Sequence, residues 1–199
     1  MKNTLIALMA LALSSSALMA QDVDVPAEKW NTPYPVQRVE GEISVGFSFP
    51  ADSYHNAEAN ASLDFGLALR YNFPNSPFDC GLQLGLTTVQ RSDLDYYKPS
   101  EYRNHQTNRI VSVAVTGAYN FRQGHKVNPF AGIGVGVGFM DVVGDRLYPV
   151  NGANIVFIPK IGCEFWGVLR VYASSHIIRR GFNSLDVGIG VALGGWRKK

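Results

Sequence analysis

Apolar and polar residues alternate with a period of two along most of the chain. The clearest stretch is Ser62 to Phe73, S-L-D-F-G-L-A-L-R-Y-N-F, in which odd positions are apolar and even positions are small or polar. Because successive side chains of a β-strand point to opposite faces, this stretch predicts a strand with one apolar face. In a helix the same apolar side chains would be scattered around the cylinder.

The same alternation recurs along the chain and predicts eight strands. Each is long enough to cross a bilayer at a tilt, for which about 9–11 residues are needed. Short turns mostly alternate with longer loops, as in outer-membrane barrels. The predicted strands are approximately Gly41–Phe49, Ser62–Phe73, Phe78–Gln90, Asn108–Phe121, Pro129–Met140, Asn154–Phe165, Val168–Ile178 and Ser184–Trp196.

Three architectures accommodate such strands, and they differ in where the apolar faces point. These faces fill the interior of a soluble barrel or a β-sandwich, whereas in a membrane barrel they face lipid. The other faces of the third, fifth and eighth strands are mainly Gly, Ala, Gln and Thr, which lack the charges that keep a water-facing strand soluble. Small residues suit the narrow lumen of eight strands. The sequence therefore predicts an all-β, eight-stranded antiparallel up-and-down transmembrane β-barrel.

Aromatic residues near the short turns support the membrane interpretation. All of them have the parity of the apolar face of their strand, and aromatic girdles mark the lipid interface of membrane barrels. The predicted interface aromatics are Tyr71, Phe73, Phe78, Tyr119, Phe121 and Phe165.

The N-terminal region is predicted to direct export. Residues 1–20 resemble a signal peptide, with Lys2 before the apolar run Leu5–Leu13 and Ala20 before the cleavage site. Residues 21–38 have three prolines and no period, and are interpreted as a flexible periplasmic lead-in. Residues 39–199 form the predicted barrel. With both termini in the periplasm, the long loops are extracellular.

Composition and motifs exclude several functions. The net charge is +2 without a basic stripe, so no nucleic-acid partner is predicted. The sequence has no phosphate loop and no metal-spaced cluster, and we predict neither a metal nor a cofactor. Cys80 and Cys163 fall on non-adjacent strands and face lipid. We expect them to be free thiols, because a disulfide needs Cα atoms within about 7 Å.

The alternation, the size and the closing segment Phe182–Trp196, F-N-S-L-D-V-G-I-G-V-A-L-G-G-W, resemble the small OmpA/OmpX-like outer-membrane β-barrel families. The resemblance covers about Gly41 to Trp196. It implies residence in the bacterial outer membrane, contact with membrane lipid and lipopolysaccharide, and insertion by the barrel assembly machinery. No surface ligand is implied.

Charged residues on the inner faces predict a polar network in the lumen near the periplasmic end. A plug of ion pairs is favoured over a gate or narrow porin-like pore, because unpaired buried charges are costly. The predicted members of this network are Glu42, Arg70, Lys160, Glu164 and Arg170.

Two functional hypotheses follow. The first is a non-enzymatic barrel with a structural, surface-interaction or narrow porin-like role. Tyrosines of the longest loop, 91–106, serve such a role either as an adhesive surface or as interface aromatics: Tyr96, Tyr97 and Tyr102.

The alternative is a barrel enzyme that modifies lipid A as a deacylase or acyltransferase. Ser174, His176 and Asp186 share the inner face of adjacent predicted strands and supply the residue types of an acyl-transfer site. Lipid A deacylases carry an H-x-S pair on a late strand, which the order Ser174-Ser175-His176 does not match. We therefore favour a structural role for the histidine, and no catalytic residue is assigned.

Overall fold

A computed structural model describes residues 36–51, 57–94, 103–143, 152–179 and 182–193 of the chain. Within these ranges the secondary structure consists of strands and turns. In the same ranges no helix has the length and apolar character needed to cross a membrane. The strands are β1 (Val39–Pro50), β2 (Ala57–Asn60), β3 (Ser62–Asn72), β4 (Phe78–Leu94), β5 (Arg103–Asn120), β6 (Val127–Val143), β7 (Gly152–Phe165), β8 (Leu169–His176) and β9 (Ser184–Leu193).

Eight of these strands close into an antiparallel up-and-down barrel. Each pairs with its neighbours in the order β1-β3-β4-β5-β6-β7-β8-β9, and β9 pairs back with β1. The short β2 continues β3 after a bulge. Asn60 lies opposite Gln90 and Asp64 opposite Thr87, so three residues on one side face two on the other. The eight-stranded barrel is as predicted.

The apolar faces of the strands point away from the barrel interior. Val135 and Ile189 expose 43% and 51% of their surfaces, and Val113 and Leu67 lie on the same outer wall. The residues at the alternate positions face the interior, where they are buried and largely polar. They include Ser44, Ser48, Asp64, Thr87, Ser112, Asn120 and Asp186. The barrel therefore has the polarity opposite to that of a soluble domain, as the alternation predicts.

The lumen is filled in layers along the barrel axis. Asparagines and Asp79 occupy the end with the short turns, followed by a layer of ion pairs and then by hydroxyl groups with His176. At the opposite end an apolar cluster fills the lumen, formed by Val89, Ile110, Met140 and Phe182. Polar residues thus occupy most of the interior, and the long-loop end is sealed by apolar packing.

Several predicted boundaries are wrong. The predicted third and fourth strands are β4 and β5, which extend to Leu94 and Arg103, so part of the predicted 91–106 loop is a paired hairpin. β6 and β7 also extend toward the loop between them. Part of the predicted loop after the first strand forms β2. The extensions of β4 and β5 carry mostly polar residues. Backbone hydrogen bonds pair all these extensions without requiring an apolar alternation in the sequence.

β8 ends at His176, two residues before the predicted end, and its ladder with β7 is interrupted at Pro159. The β7–β8 ladder runs from Phe165–Leu169 to Lys160–Ser174 and then breaks, and only an isolated bridge joins Phe157 to Ile177. Pro159 has no N–H to donate at the break.

Some predictions lie outside the described residues. They are the signal peptide, most of the lead-in, the three tyrosines of the longest loop, and the last predicted strand residues up to Trp196.

Candidate functional site in the barrel lumen

Glu42 is the centre of the ion-pair layer. Its carboxylate lies 3.2 Å from Arg170 Nη1, 3.5 Å from Lys160 Nζ and 3.6 Å from Arg70 Nε. Glu42 is 3% exposed, so all three cations meet it with little competition from solvent. One carboxylate therefore holds together cations from β3, β7 and β8, across the width of the lumen.

Two further glutamates complete this layer. Glu164 accepts a hydrogen bond from Arg170 Nε at 2.8 Å and lies 3.6 Å from Arg70 Nη1. Glu40 lies 3.0 Å from Arg70 Nη2. Three acids thus face three bases, and the layer has no formal net charge.

The structure brings all five predicted network residues together and adds Glu40. Glu40 precedes the first predicted strand, so its membership was missed. It nevertheless has the same parity as Glu42, which is the signal that points to it.

Aromatic rings and glycines shape the space around these charges. Lys160 Nζ lies 4.0 Å above the Tyr172 ring, and Arg170 lies 4.1 Å above the Phe130 ring. A side chain at Gly190 would place its Cβ 2.8 Å from Glu42 Oε1. The lack of a side chain at Gly190 on β9 therefore leaves room for Glu42.

A cavity of about 30 Å³ lies beside the ion-pair layer. Its lining includes Gln83, Thr116, Lys160 and Arg170. One water needs about 10–15 Å³ of such volume, so the cavity has room for about two water molecules. This space is far too small for a sugar or a lipid headgroup.

An amide layer closes the short-turn end, and sequence reasoning missed it. Asn120 donates to Asp79 at 2.7 Å, and Asn128 donates to Asn120 at 3.1 Å. Gln123, from the β5–β6 turn, donates to Asn72 at 3.3 Å. Alternation places Asn72, Asp79 and Asn120 on the inner faces of their strands. Asparagine is also common in turns, so nothing local in the sequence indicated that these side chains bond to one another and to Gln123.

The candidate acyl-transfer residues lie in the layer above. His176 Nδ1 is 2.8 Å from Asp186 Oδ2, and Ser184 donates to the same oxygen at 3.1 Å. Ser174 lies opposite Asp186 in the β8–β9 register. His176 Nε2 has no hydrogen-bond partner among the described residues.

The structure assembles only part of the acyl-transfer arrangement. An acid orients the histidine, but no hydrogen bond joins Ser174 to His176 within the described chain. Both residues are buried, and the apolar cluster at the long-loop end lies above them. A nucleophile must contact its base and meet the substrate, and neither condition is satisfied here.

The predicted interface aromatics line the outer wall at the short-turn end. Three edge-to-face pairs have ring centroids 5.0–5.3 Å apart: Tyr71–Phe73, Phe78–Tyr119 and Tyr119–Phe121. Phe165 is half-buried and lies 5.9 Å from Trp166, which sequence reasoning treated only as a turn residue. The thiols of Cys80 and Cys163 are free and half-buried on separate strands.

Comparisons with known proteins identify the fold. No protein-family model matches the chain, and no curated protein matches it. Neisserial surface protein A shares the fold with a TM-score of 0.53 at 11% identity, over 79% of this chain and 97% of that chain.

Two further solved structures are less similar. Ail of Yersinia pestis, in complex with the heparin analogue sucrose octasulfate, gives a TM-score of 0.44 at 16% identity, over 78% of this chain and 99% of that chain. The N-terminal β-barrel domain of Pseudomonas aeruginosa OprF gives a TM-score of 0.44 at 12% identity, over 78% of this chain and 98% of that chain. The likeness to Neisserial surface protein A shows that the chain has the fold of the small outer-membrane barrels, which the OmpA/OmpX-like resemblance of the sequence predicts.

Proposed function

We propose that the chain is a bacterial outer-membrane β-barrel protein without enzymatic activity. It contributes to envelope structure or presents its loops to a surface ligand. The observation that carries the proposal is the continuous apolar outer wall around a polar, buried lumen. Such a wall is incompatible with water and fits the hydrocarbon core of a bilayer.

The positions of the strand connections support an orientation. Three tight turns lie at one barrel end, at residues 73–77, 121–126 and 166–168. Outer-membrane barrels place their short turns in the periplasm and their longer loops outside. We therefore propose periplasmic termini, loops that face lipopolysaccharide and the exterior, and insertion by the barrel assembly machinery.

The filled lumen favours a structural or surface role over a porin-like one. The amide layer, the ion-pair layer, the hydroxyl groups with His176 and the apolar cluster follow one another along the axis. An eight-stranded barrel has space for side chains and little else. Its activity toward other molecules is therefore assigned to the outer wall and the loops.

Vesicle insertion tests the proposal. The purified full chain, refolded with phospholipid vesicles, should float with them, resist extraction by urea and form β-structure. Val135→Arg should lower the inserted fraction, because an arginine at the bilayer midplane costs about 2–4 kcal/mol. Val135→Leu is the matched control and should insert normally. A chain that folds as a water-soluble monomer without lipid or detergent would contradict the proposal.

A lipid A-modifying enzyme is the second candidate. The observation in its favour is the buried His176–Asp186 pair, which leaves Nε2 free in the way a general base requires. Mass spectrometry of lipid A from cells with and without the protein separates the candidates. We expect identical acylation; an acyl change that is lost in His176→Ala would establish the enzyme.

A further inference from the structure

Trp166 occupies a turn position that does not suit its side chain. It has a φ of 54° and the next residue, Gly167, has a φ of 69°, while Val168 N–H donates to the Phe165 carbonyl at 3.0 Å. A β-turn with positive φ at both central residues strongly prefers Asn, Asp or Gly there. A bulky residue there is strained, and such outliers are concentrated at functional positions.

Packing within the protein does not account for this tryptophan. Its surface is 62% exposed, and its ring pairs with Phe165 in a tilted arrangement at 5.9 Å. Phe121, on the neighbouring turn, is 61% exposed. Two aromatic rings at the same barrel end are therefore directed outward. The tryptophan ring, an apolar body with a polar N–H, suits a membrane interface.

The two turns that carry these rings form one surface. The backbone N–H of Trp166 donates to the backbone carbonyl of Lys126 at 2.7 Å, and Val127 pairs with Phe165 in the β6–β7 ladder. On the other turn, Arg122 N–H donates to Asn128 Oδ1 at 3.1 Å, which holds its backbone. We call this surface the Trp166 patch, formed by Phe121, Arg122, Lys126, Val127 and Trp166.

Charges at this end of the barrel are separated by sign. In the described part of the chain, the acids here face inward and are bonded: Glu40 to Arg70, Glu164 to Arg170, and Asp79 to Asn120. Among the described residues at this end, the charges that remain exposed are cationic: Arg38, Arg122 and Lys126. A lumen that retains the acids leaves an outer rim of positive potential, and two of its three cations belong to the Trp166 patch.

We propose that the Trp166 patch binds the headgroup phosphate of an anionic glycerophospholipid in the leaflet next to the short turns. Arg122 and Lys126 supply the charge, and Trp166 and Phe121 contact the glycerol and upper acyl region. The inference rests on the proposed membrane function, and that function places the patch in the periplasmic leaflet. Basic residues near a bilayer surface attract anionic lipid in this way.

Quenching of Trp166 by brominated lipids tests the inference. The full chain with Trp30→Phe and Trp196→Phe retains this single tryptophan and is inserted into phosphatidylcholine vesicles. These contain either brominated phosphatidylglycerol or brominated phosphatidylcholine. We expect quenching to report about a tenfold preference for phosphatidylglycerol at low salt. In about 0.5 M salt, which screens exposed charges, the preference should fall close to unity.

Matched variants separate the patch from general attraction. Arg122→Gln combined with Lys126→Gln should remove the preference. Arg109→Gln, an exposed arginine on β5 at the opposite end of the barrel, should leave it unchanged. Equal quenching by the two lipids in the single-tryptophan chain, or a preference that survives the double substitution, would overturn the inference. Quenching by neither lipid would overturn the membrane proposal together with it.

Discussion

At the scale of single residues, one carboxylate determines whether the lumen charges balance. Glu42 is shared by three cations, and its removal would leave two glutamates against three bases in a buried layer. Breaking a buried ion pair by removing one partner typically costs 3–5 kcal/mol, because the other charge stays desolvated. The ion-pair layer is thus stable as a set and sensitive to the loss of its central member.

Replacement of Glu42 should therefore destabilise the barrel strongly. We expect Glu42→Ala to lower the free energy of unfolding by about 3–5 kcal/mol, measured by urea titration of the barrel in vesicles. Ser44→Ala, two residues along the same inner face, is the control and should cost about 1 kcal/mol. A loss for Glu42→Ala no greater than the control would show that the ion pairs do not stabilise the fold.

Trp166 should respond in the opposite direction. Because Asn tolerates the positive φ of this turn, Trp166→Asn should relieve strain and raise the free energy of unfolding in neutral detergent by about 1 kcal/mol. Thermal or urea unfolding measures this difference. Trp166→Phe retains a strained aromatic residue and should show no gain; a loss of stability in Trp166→Asn would contradict the strain argument.

At the scale of elements, the alternating glycines of β6 allow two strands to approach closely. A Cβ at Gly136 would collide with the Val113 carbonyl oxygen on β5, whereas a Cβ at Gly152 on β7 would meet nothing within 4 Å. The repeat Gly132–Gly138 therefore lets neighbouring backbones and lumen side chains occupy the inner face.

This difference predicts opposite outcomes for two similar substitutions. Gly136→Ala should destabilise the barrel by about 1–3 kcal/mol, since overpacking forces the backbone to shift. Gly152→Ala should be close to neutral. The comparison is made by urea unfolding of both variants in the same lipid, and equal stabilities would show that the β5–β6 contact is not close.

The strands were predictable from sequence where burial imposes a period of two. From Ser62 to Asn72, alternation placed every side chain on its observed face. The hairpin ends were not predictable, because the pairs from Arg91–Gln106 to Leu94–Arg103 have no apolar periodicity. The alternation of inner and outer positions also identified the five predicted network residues. It could not reveal the His176–Asp186 contact distance or the strained φ of Trp166, because these depend on three-dimensional geometry.

At the scale of the whole molecule, a filled lumen and an apolar wall have consequences for conductance. Since four successive layers of side chains occupy the axis, the barrel inserted into planar bilayers should show no stable conductance steps at about 0.1 M salt. An empty-bilayer record and a known open porin provide the lower and upper controls. Reproducible steps from the purified barrel would contradict a sealed lumen.

The central claim is the direction in which the apolar side chains point. The barrel offers matched residues: Val135 and Ile189 lie on the outer wall, while Val156 and Ile158 are buried in the lumen. Nuclear Overhauser effects between methyl groups and lipid acyl chains, measured in nanodiscs, report these contacts directly. We predict acyl-chain cross-peaks for Val135 and Ile189 and none for Val156 and Ile158. The reverse pattern, or lipid contact at all four residues, would contradict the account.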